Sequence, residues 1–226
     1  MRHGALLAGP SASVSPALLR SVHIDVRCAD VSPVATNGIG TFVMGNCGCA
    51  FAPCDRGDRN FLIELMEGVE DIPQASLQEG MGTWQWESVP EWLDHAATLP
   101  MACDFAALVG HGALRTYCMG ERGADHEEEV ADEDIEVMAA VLRQAVEAGA
   151  LGWGVNRSDG HKDKSGNPVP GTYSEDNEMV ALAEAIHAGG GGVIEIVSRF
   201  IFPSTCTCSS SLCVFFRVSK NLLLRR

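Results

Sequence analysis

Five side chains in this sequence combine a reactive type with a telling placement: Cys47, His111, Arg115, Arg157 and His161. Cys47 lies in Gly45-Asn46-Cys47-Gly48-Cys49, directly after the apolar run 39–44. Two glycines around a cysteine let the backbone turn tightly and leave the thiol at the end of that run. A thiol so placed can ligate a metal, act as a nucleophile, or simply fill space as a small buried residue. His111 stands between Gly110 and Gly112, after the run 104–109. A neutral imidazole there can ligate metal, hydrogen-bond a substrate, or hold its own loop through backbone hydrogen bonds. Arg115 can take a substrate carboxylate bidentately or pair with an acid of the body. Arg157 and His161 sit in Asn156-Arg157-Ser158-Asp159-Gly160-His161, after the run 150–155. A polar, cationic loop of this kind suits an anionic or amide substrate, and it also makes an ordinary surface loop.

The elements that must position these residues follow from periodicity. The runs 39–44, 104–109, 150–155 and 193–197 are short, apolar and bounded by glycine or polar breaks, and read as buried strands. Asp58 reads as the N-cap of a helix carrying Phe61, Leu62, Leu65, Met66 and Val69 at helical spacing. Ser88-x-x-Glu91 with Pro90 reads as a capping box in front of Trp92, Ala96 and Leu99. Asp132 reads as the cap of a helix with acids in its first turn, Ile135, Met138, Leu142, Ala145 and Val146 on one face, and a stop at Gly149. Ser174 reads as the cap of a last helix that turns Met179, Leu182, Ala183 and Ile186 inward. Trp84 and Trp86 fall in a loop, as packing between helices and sheet or as a lid over an acyl chain. Strands alternating with helices predict an α/β fold with parallel strands and right-handed crossovers. In a βα barrel the C-terminal strand ends carry the chemistry, which is where Cys47, His111 and the 156–161 loop fall.

Gly45-Asn46-Cys47-Gly48, followed by Phe51-Ala52-Pro53, resembles the second-strand motif of the D-aminoacylase (N-acyl-D-amino-acid deacylase) family of metal-dependent amidohydrolases. The resemblance runs on in the family's order through residues 61–70, 110–115, 117–123, 147–152 and 169–172, and covers residues 30–200. It implies a partial TIM-like (β/α) barrel of about four parallel strands with irregular termini. It also implies hydrolysis of a linear carbon–nitrogen amide bond in a small N-acyl amino acid, zinc as cofactor, and Cys47 as a metal ligand. Arg157 and His161 match residues of one deacylase subgroup; with His111 and Arg115 they form the candidate substrate-binding set. The sequence also departs from the family. The first-strand His-x-His pair falls, counting back from Gly38, on Leu18 and Arg20. The fifth-strand histidine falls within residues 196–200, which hold Ser198 and no histidine; some family members carry serine there, so this is not counted as a departure. The later histidine and the acid/base aspartate lie beyond the matched part, so no catalytic residue is assigned. The expectation is a deacylase-like chain with an incomplete donor set and little or no activity of its own. Two other readings stand beside it: an interaction protein pairing through open sheet edges, because four strands do not close a barrel, and a thiol enzyme using Cys47 or Cys49 with His111.

Composition sets the outer bounds. The chain has 226 residues, 46% of them apolar, and is shorter than the roughly 250 residues typical of a complete (β/α) barrel. A net charge of −14 speaks against nucleic acid or an anionic membrane as partner, and no apolar run reaches membrane-spanning length. Nine cysteines, an odd number without a paired Cys-x-x-Cys pattern, fit a reduced, cytoplasmic chain. Residues 1–29, Ser/Ala/Leu-rich and free of acid before Asp25, read as a disordered or unrelated N-terminal segment. Residues 201–226, Cys/Ser-rich with four basic residues and no acid, read as an unrelated tail.

Overall fold

A computed structural model of the chain describes residues 32–82, 84–197 and 213–218. The segment 1–29 with Leu18 and Arg20, residues 198–200, and most of the tail with Cys206 and Cys208 lie outside the described residues. In chain order the elements are α1 (Ser32–Thr36), β1 (Thr41–Met44), α2 (Arg59–Glu70), α3 (Gln74–Met81), α4 (Val89–Ala96), β2 (Asp104–Gly110), α5 (His111–Met119), α6 (Asp132–Ala148), β3 (Gly152–Asn156), α7 (Asp176–Ala188), β4 (Gly192–Val197) and β5 (Cys213–Val218).

The sheet runs β1-β2-β3-β4-β5, so chain order and spatial order coincide. β1 to β4 are parallel, with helices in every connection, and form a curled part-barrel. The register sets Thr41 beside Asp104, Leu108 beside Gly152 and Gly154 beside Glu195. β5 lies within the 201–226 tail. It pairs antiparallel with β4, Glu195 opposite Phe215. The run Cys-Val-Phe-Phe-Arg-Val has strong strand propensity, and an open β4 edge offers it unpaired N–H and C=O groups.

Local chemistry explains most element boundaries. On α4 both halves of the capping box form: the Glu91 N–H donates to Ser88 Oγ at 3.3 Å and the Ser88 N–H to Glu91 Oε2 at 2.9 Å. On α6, Ile135, Met138, Leu142, Ala145 and Val146 are the buried face, and Gly149 ends the helix at φ 119°. Two caps differ from expectation. α6 starts at Asp132 itself, and it is Asp134 that reaches back to the Ala131 N–H at 3.2 Å. α7 starts at Asp176 rather than after Ser174, whose hydroxyl serves a buried carboxylate instead. Asp58 stands at the N-cap of α2 without a side-chain capping bond. The helices α1, α3 and α5 have no counterpart in the sequence reading.

The main core lies between the helices and one face of the sheet. Leu62, Leu65 and Met66 of α2, Leu114 of α5, Met138 and Leu142 of α6, and Leu182 and Ile186 of α7 close on Val109, Trp153, Val155 and Ile194. The tryptophan loop is part of it. Trp86 is buried, donates its indole N–H to the Phe51 carbonyl at 2.8 Å, and stacks near Trp84 and His95. No helix among the described residues is long and apolar enough to cross a membrane. Cys47, Cys49, Cys54, Cys103 and Cys118 form no disulfide.

Candidate functional site

β1 ends at Met44 and the chain turns at once. Residues Asn46–Gly48 form a single 3-10 turn, entered through Gly45 at φ 90°. Cys47 sits in this turn at φ 63°, ψ 11°. That left-handed conformation costs a non-glycine residue about 1–2 kcal/mol, so the fold must hold it in place. It does so by laying the turn across the sheet. Trp153, Val155, Ile194 and Ile196 belong to or pack on the helix-side core. Strand alternation therefore sends Gly154 and Glu195, paired in register, to the opposite face. Gly45 rests on Gly154 so closely that a Cβ on Gly154 would lie 2.2 Å from the Gly45 carbonyl oxygen. Beside this contact the Cys47 N–H donates to Glu195 Oε2 at 3.3 Å. Glu195 is fully buried, and Cys47 is half-buried. Cys49, by contrast, is buried, and that burial drives its thiol far above the ordinary range. The turn thus presents one of its two thiols and hides the other.

His111 and Arg115 form a second group, on the helix side. His111 opens α5 at the end of β2 and is wholly closed to solvent. Its Nε2 lies 2.7 Å from Glu178 Oε1, on α7. Arg115 donates from Nη1 to Glu178 Oε2 at 2.6 Å and to Ser174 Oγ at 3.1 Å, and from Nε to the Gly123 carbonyl at 3.0 Å. Ser174 in turn donates its hydroxyl to Glu178 Oε1 at 3.0 Å. Burial alone would raise the Glu178 carboxyl, but the hydrogen bond from His111 and the bond and charge of Arg115 outweigh it and hold the group down at about 2. Burial pushes His111 below its ordinary value, against the pull of Glu178. The consistent state is an ionised Glu178 with Arg115 as its counter-charge, and a neutral His111. An ionised carboxylate only accepts, so Nε2 carries the imidazole proton. Nδ1 then has no hydrogen-bond partner among the described residues. It faces Gly171, where a Cβ would come within 2.6 Å of it, while Trp153 packs edge-on at 4.8 Å.

The structure brings His111 and Arg115 together on Glu178 and places Arg157 next to them, its Nη1 donating to the Ser174 carbonyl at 2.6 Å. His161 stands apart in the loop after β3. It is half-buried, with its backbone bonded to Ser158 and Val169. A cavity of about 540 Å³ opens on the Arg115–Ser174–Glu178 cluster, and its wall carries Glu127, Glu128, Glu129, Asp132 and Glu175. None of its lining residues belongs to the Cys47 turn. Two carboxylates central to these groups, Glu178 and Glu195, escaped the sequence reading. Each left a trace. Glu178 is in helical phase with Leu182, Ala185 and Ile186, and Glu195 interrupts the apolar run of β4.

A zinc centre of the kind the resemblance implies needs at least three protein donors. Among the described residues, no three His, Cys, Asp or Glu side chains gather into such a group. His111 and Glu178 are committed to each other at 2.7 Å, while the neighbouring Gly110 and Gly112 pack on the Gly48 carbonyl of the Cys47 turn. The described residues therefore do not fit a catalytic zinc.

Comparison with known proteins gives the following. No family model matches the chain. It is 31% identical over 127 residues to a D-aminoacylase of Alcaligenes xylosoxydans xylosoxydans, covering 56% of this chain and 23% of that one. An N-acyl-D-aspartate deacylase of the same organism is 31% identical over 124 residues, covering 54% and 22%. The crystal structure of an N-acyl-D-glutamate deacylase from Bordetella bronchiseptica, complexed with zinc and a phosphonate inhibitor, superposes with a TM-score of 0.51 at 26% identity, covering 72% of this chain and 30% of the other. The chain thus spans about a quarter of the length of these curated relatives.

Proposed function

We propose that the chain, similar to the D-aminoacylases in sequence and fold, carries a deacylase-like hydrolase scaffold whose working group here is the Cys47 turn, and that by itself it hydrolyses N-acyl-D-amino acids weakly or not at all. The observation that carries this reading is the placement of Cys47: a left-handed turn seated over the strands of a part-barrel shared with the deacylases. The limit on activity comes from chemistry. Cleaving an amide near neutral pH needs an activated water, a polarised carbonyl and a proton donor for the leaving amine. The described residues do not assemble these around Cys47. In this reading Arg157 and His161 are the residues of the β3 loop that meet a substrate's polar groups, and His111 and Arg115 brace the end of β2 through Glu178.

The test is the zinc content of the purified chain, with Cys47→Ala as control, and acetate release from N-acetyl-D-amino acids with zinc added. The expected result is less than one zinc per chain and no zinc-dependent release above a blank. Stoichiometric zinc that is lost in Cys47→Ala, together with acetate release, would overturn the proposed inactivity.

One observation favours a second reading, association through a sheet edge. Among the described strands β1 pairs with β2 alone, and its other side presents an edge. Size-exclusion chromatography separates the two: a concentration-dependent dimer supports edge pairing, and a monomer at all concentrations removes it.

A further inference from the structure

We infer that Glu195 is a positioning residue for the Cys47 thiol: the buried β4 carboxylate holds, through one backbone hydrogen bond, the left-handed turn that presents the sulfur. The inference rests on the proposed reading only in taking Cys47 as the working group.

Three strands clamp the turn, and they do so in different ways. On β2, a Cβ at Gly45 would lie 2.2 Å from the Leu108 carbonyl oxygen; on β3, Gly154 leaves room for the Gly45 carbonyl. Both are close approaches of bare backbone, which exclude bulk and supply no directed bond. On β4 the contact is directed: the Cys47 N–H donates to Glu195 Oε2 at 3.3 Å, across 148 residues of chain. The N–H and the side chain of Cys47 leave the same Cα. Fixing where the N–H points at φ 63° therefore fixes where the Cβ–Sγ bond points. Glycines on both sides of Asn46-Cys47 give the turn other conformations to visit, so a directed bond is what selects this one. Glu195 is an unusual residue to bury for packing alone. It is fully closed to solvent on the sheet face away from the main core, and a buried carboxylate demands hydrogen-bond donors. The Cys47 N–H is one of them.

The experiment compares Glu195→Gln, which keeps an oxygen acceptor, with Glu195→Met, which keeps the approximate volume and removes it. The intact chain is alkylated with iodoacetamide at one fixed pH, and the rates at Cys47 and Cys49 are read by peptide mass mapping; Cys49, 2% exposed, is the internal reference. Hydrogen exchange of the Cys47 amide is followed in parallel. In the parent chain Cys47 reacts faster than Cys49 and its amide is protected. Glu195→Gln keeps both properties. Glu195→Met changes the Cys47 rate by about fivefold, the equivalent of one ordinary hydrogen bond, and exposes the amide. A purely space-filling Glu195 would be replaced as well by Met as by Gln, so equal Cys47 rates and equal amide protection in the two variants overturn the inference. Should Glu195→Met fail to fold, the parent and Glu195→Gln decide: a Cys47 amide that exchanges in both as fast as in the urea-unfolded chain overturns it, and protection in both supports it. Neither readout involves zinc or hydrolysis. A failure here leaves the deacylase-like reading standing, and a failure of that reading leaves the hydrogen bond testable.

Discussion

Nε2 of His111 and Oε1 of Glu178 lie 2.7 Å apart, joining the end of β2 to the first turn of α7 across 67 residues, with both side chains closed to water. This pair, with Arg115 as counter-charge, is the main polar bond between two helices and the sheet end they cover. Replacing Glu178 by Gln or Leu leaves the Arg115 guanidinium buried without its counter-ion. Loss of one partner of such a pair costs about 3–5 kcal/mol. Urea unfolding of Glu178→Leu is expected to show a midpoint lowered to match, and a midpoint equal to that of the parent chain would refute the role given to the pair.

Acid is expected to destabilise the chain in two stages. Burial lowers His111 below 6.5, so the unfolded chain binds a proton there more readily than the folded one. For Glu178, burial works upward but His111 and Arg115 prevail and bring it from 4.5 to about 2, which again leaves the unfolded chain with more bound protons. Where the unfolded state binds more protons, stability falls as pH falls. The His111 share is present above 6.5 and is lost below it; the Glu178 share is present above 4.5 and is lost on the way down to about 2. Urea midpoints recorded from neutral to acid pH check this, and Glu178→Gln is expected to remove the lower stage.

Gly154→Ala tests the seat of the Cys47 turn. The added Cβ would meet the Gly45 carbonyl oxygen at 2.2 Å, and both partners are backbone with little room to move. Overpacking of this kind costs about 1–3 kcal/mol. Thermal unfolding is expected to register that loss, and the half-buried Cys47 to gain solvent exposure as the turn lifts from β3.

Removal of metal is expected to leave stability unchanged. With no group of three donors among the described residues, that part of the fold has no such metal centre to lose. Dialysis against a chelator should leave the unfolding midpoint where it was, and a midpoint that drops with chelator and returns with zinc would show a site that the described residues do not account for.

Much of the scaffold could be read from local patterns. The stripe Ile135, Met138, Leu142, Ala145, Val146 was sufficient to place α6 and its inward face, because a helix repeats its contacts every turn and Gly149 ends it at a positive φ. The reciprocal bonds of Ser88 and Glu91 span three residues, so their meaning was local too. α5 was less legible. Its first residue is the strand-end His111 itself, and Gly110 closes one element and opens the next without a break between them. Ser174 carried a misleading signal, since a serine before a helical stripe reads as a cap, whereas its hydroxyl here is taken by Glu178 four residues on.

By itself the sequence determined the succession of strands and helices, the tight turn at Gly45-Asn46-Cys47-Gly48 and the likeness to the deacylases. Each of these rests on residue spacing within a window of a dozen positions or on motifs kept in order along the chain. Only the tertiary structure decided what the charged residues do. Glu178 meets His111 and Arg115 from 67 and 63 residues away, and Glu195 meets the Cys47 N–H from 148. The physical reason is that burial and charge compensation belong to the packed sheet, not to any segment of it: a carboxylate is solvated or structural according to what the other strands and helices bring against it.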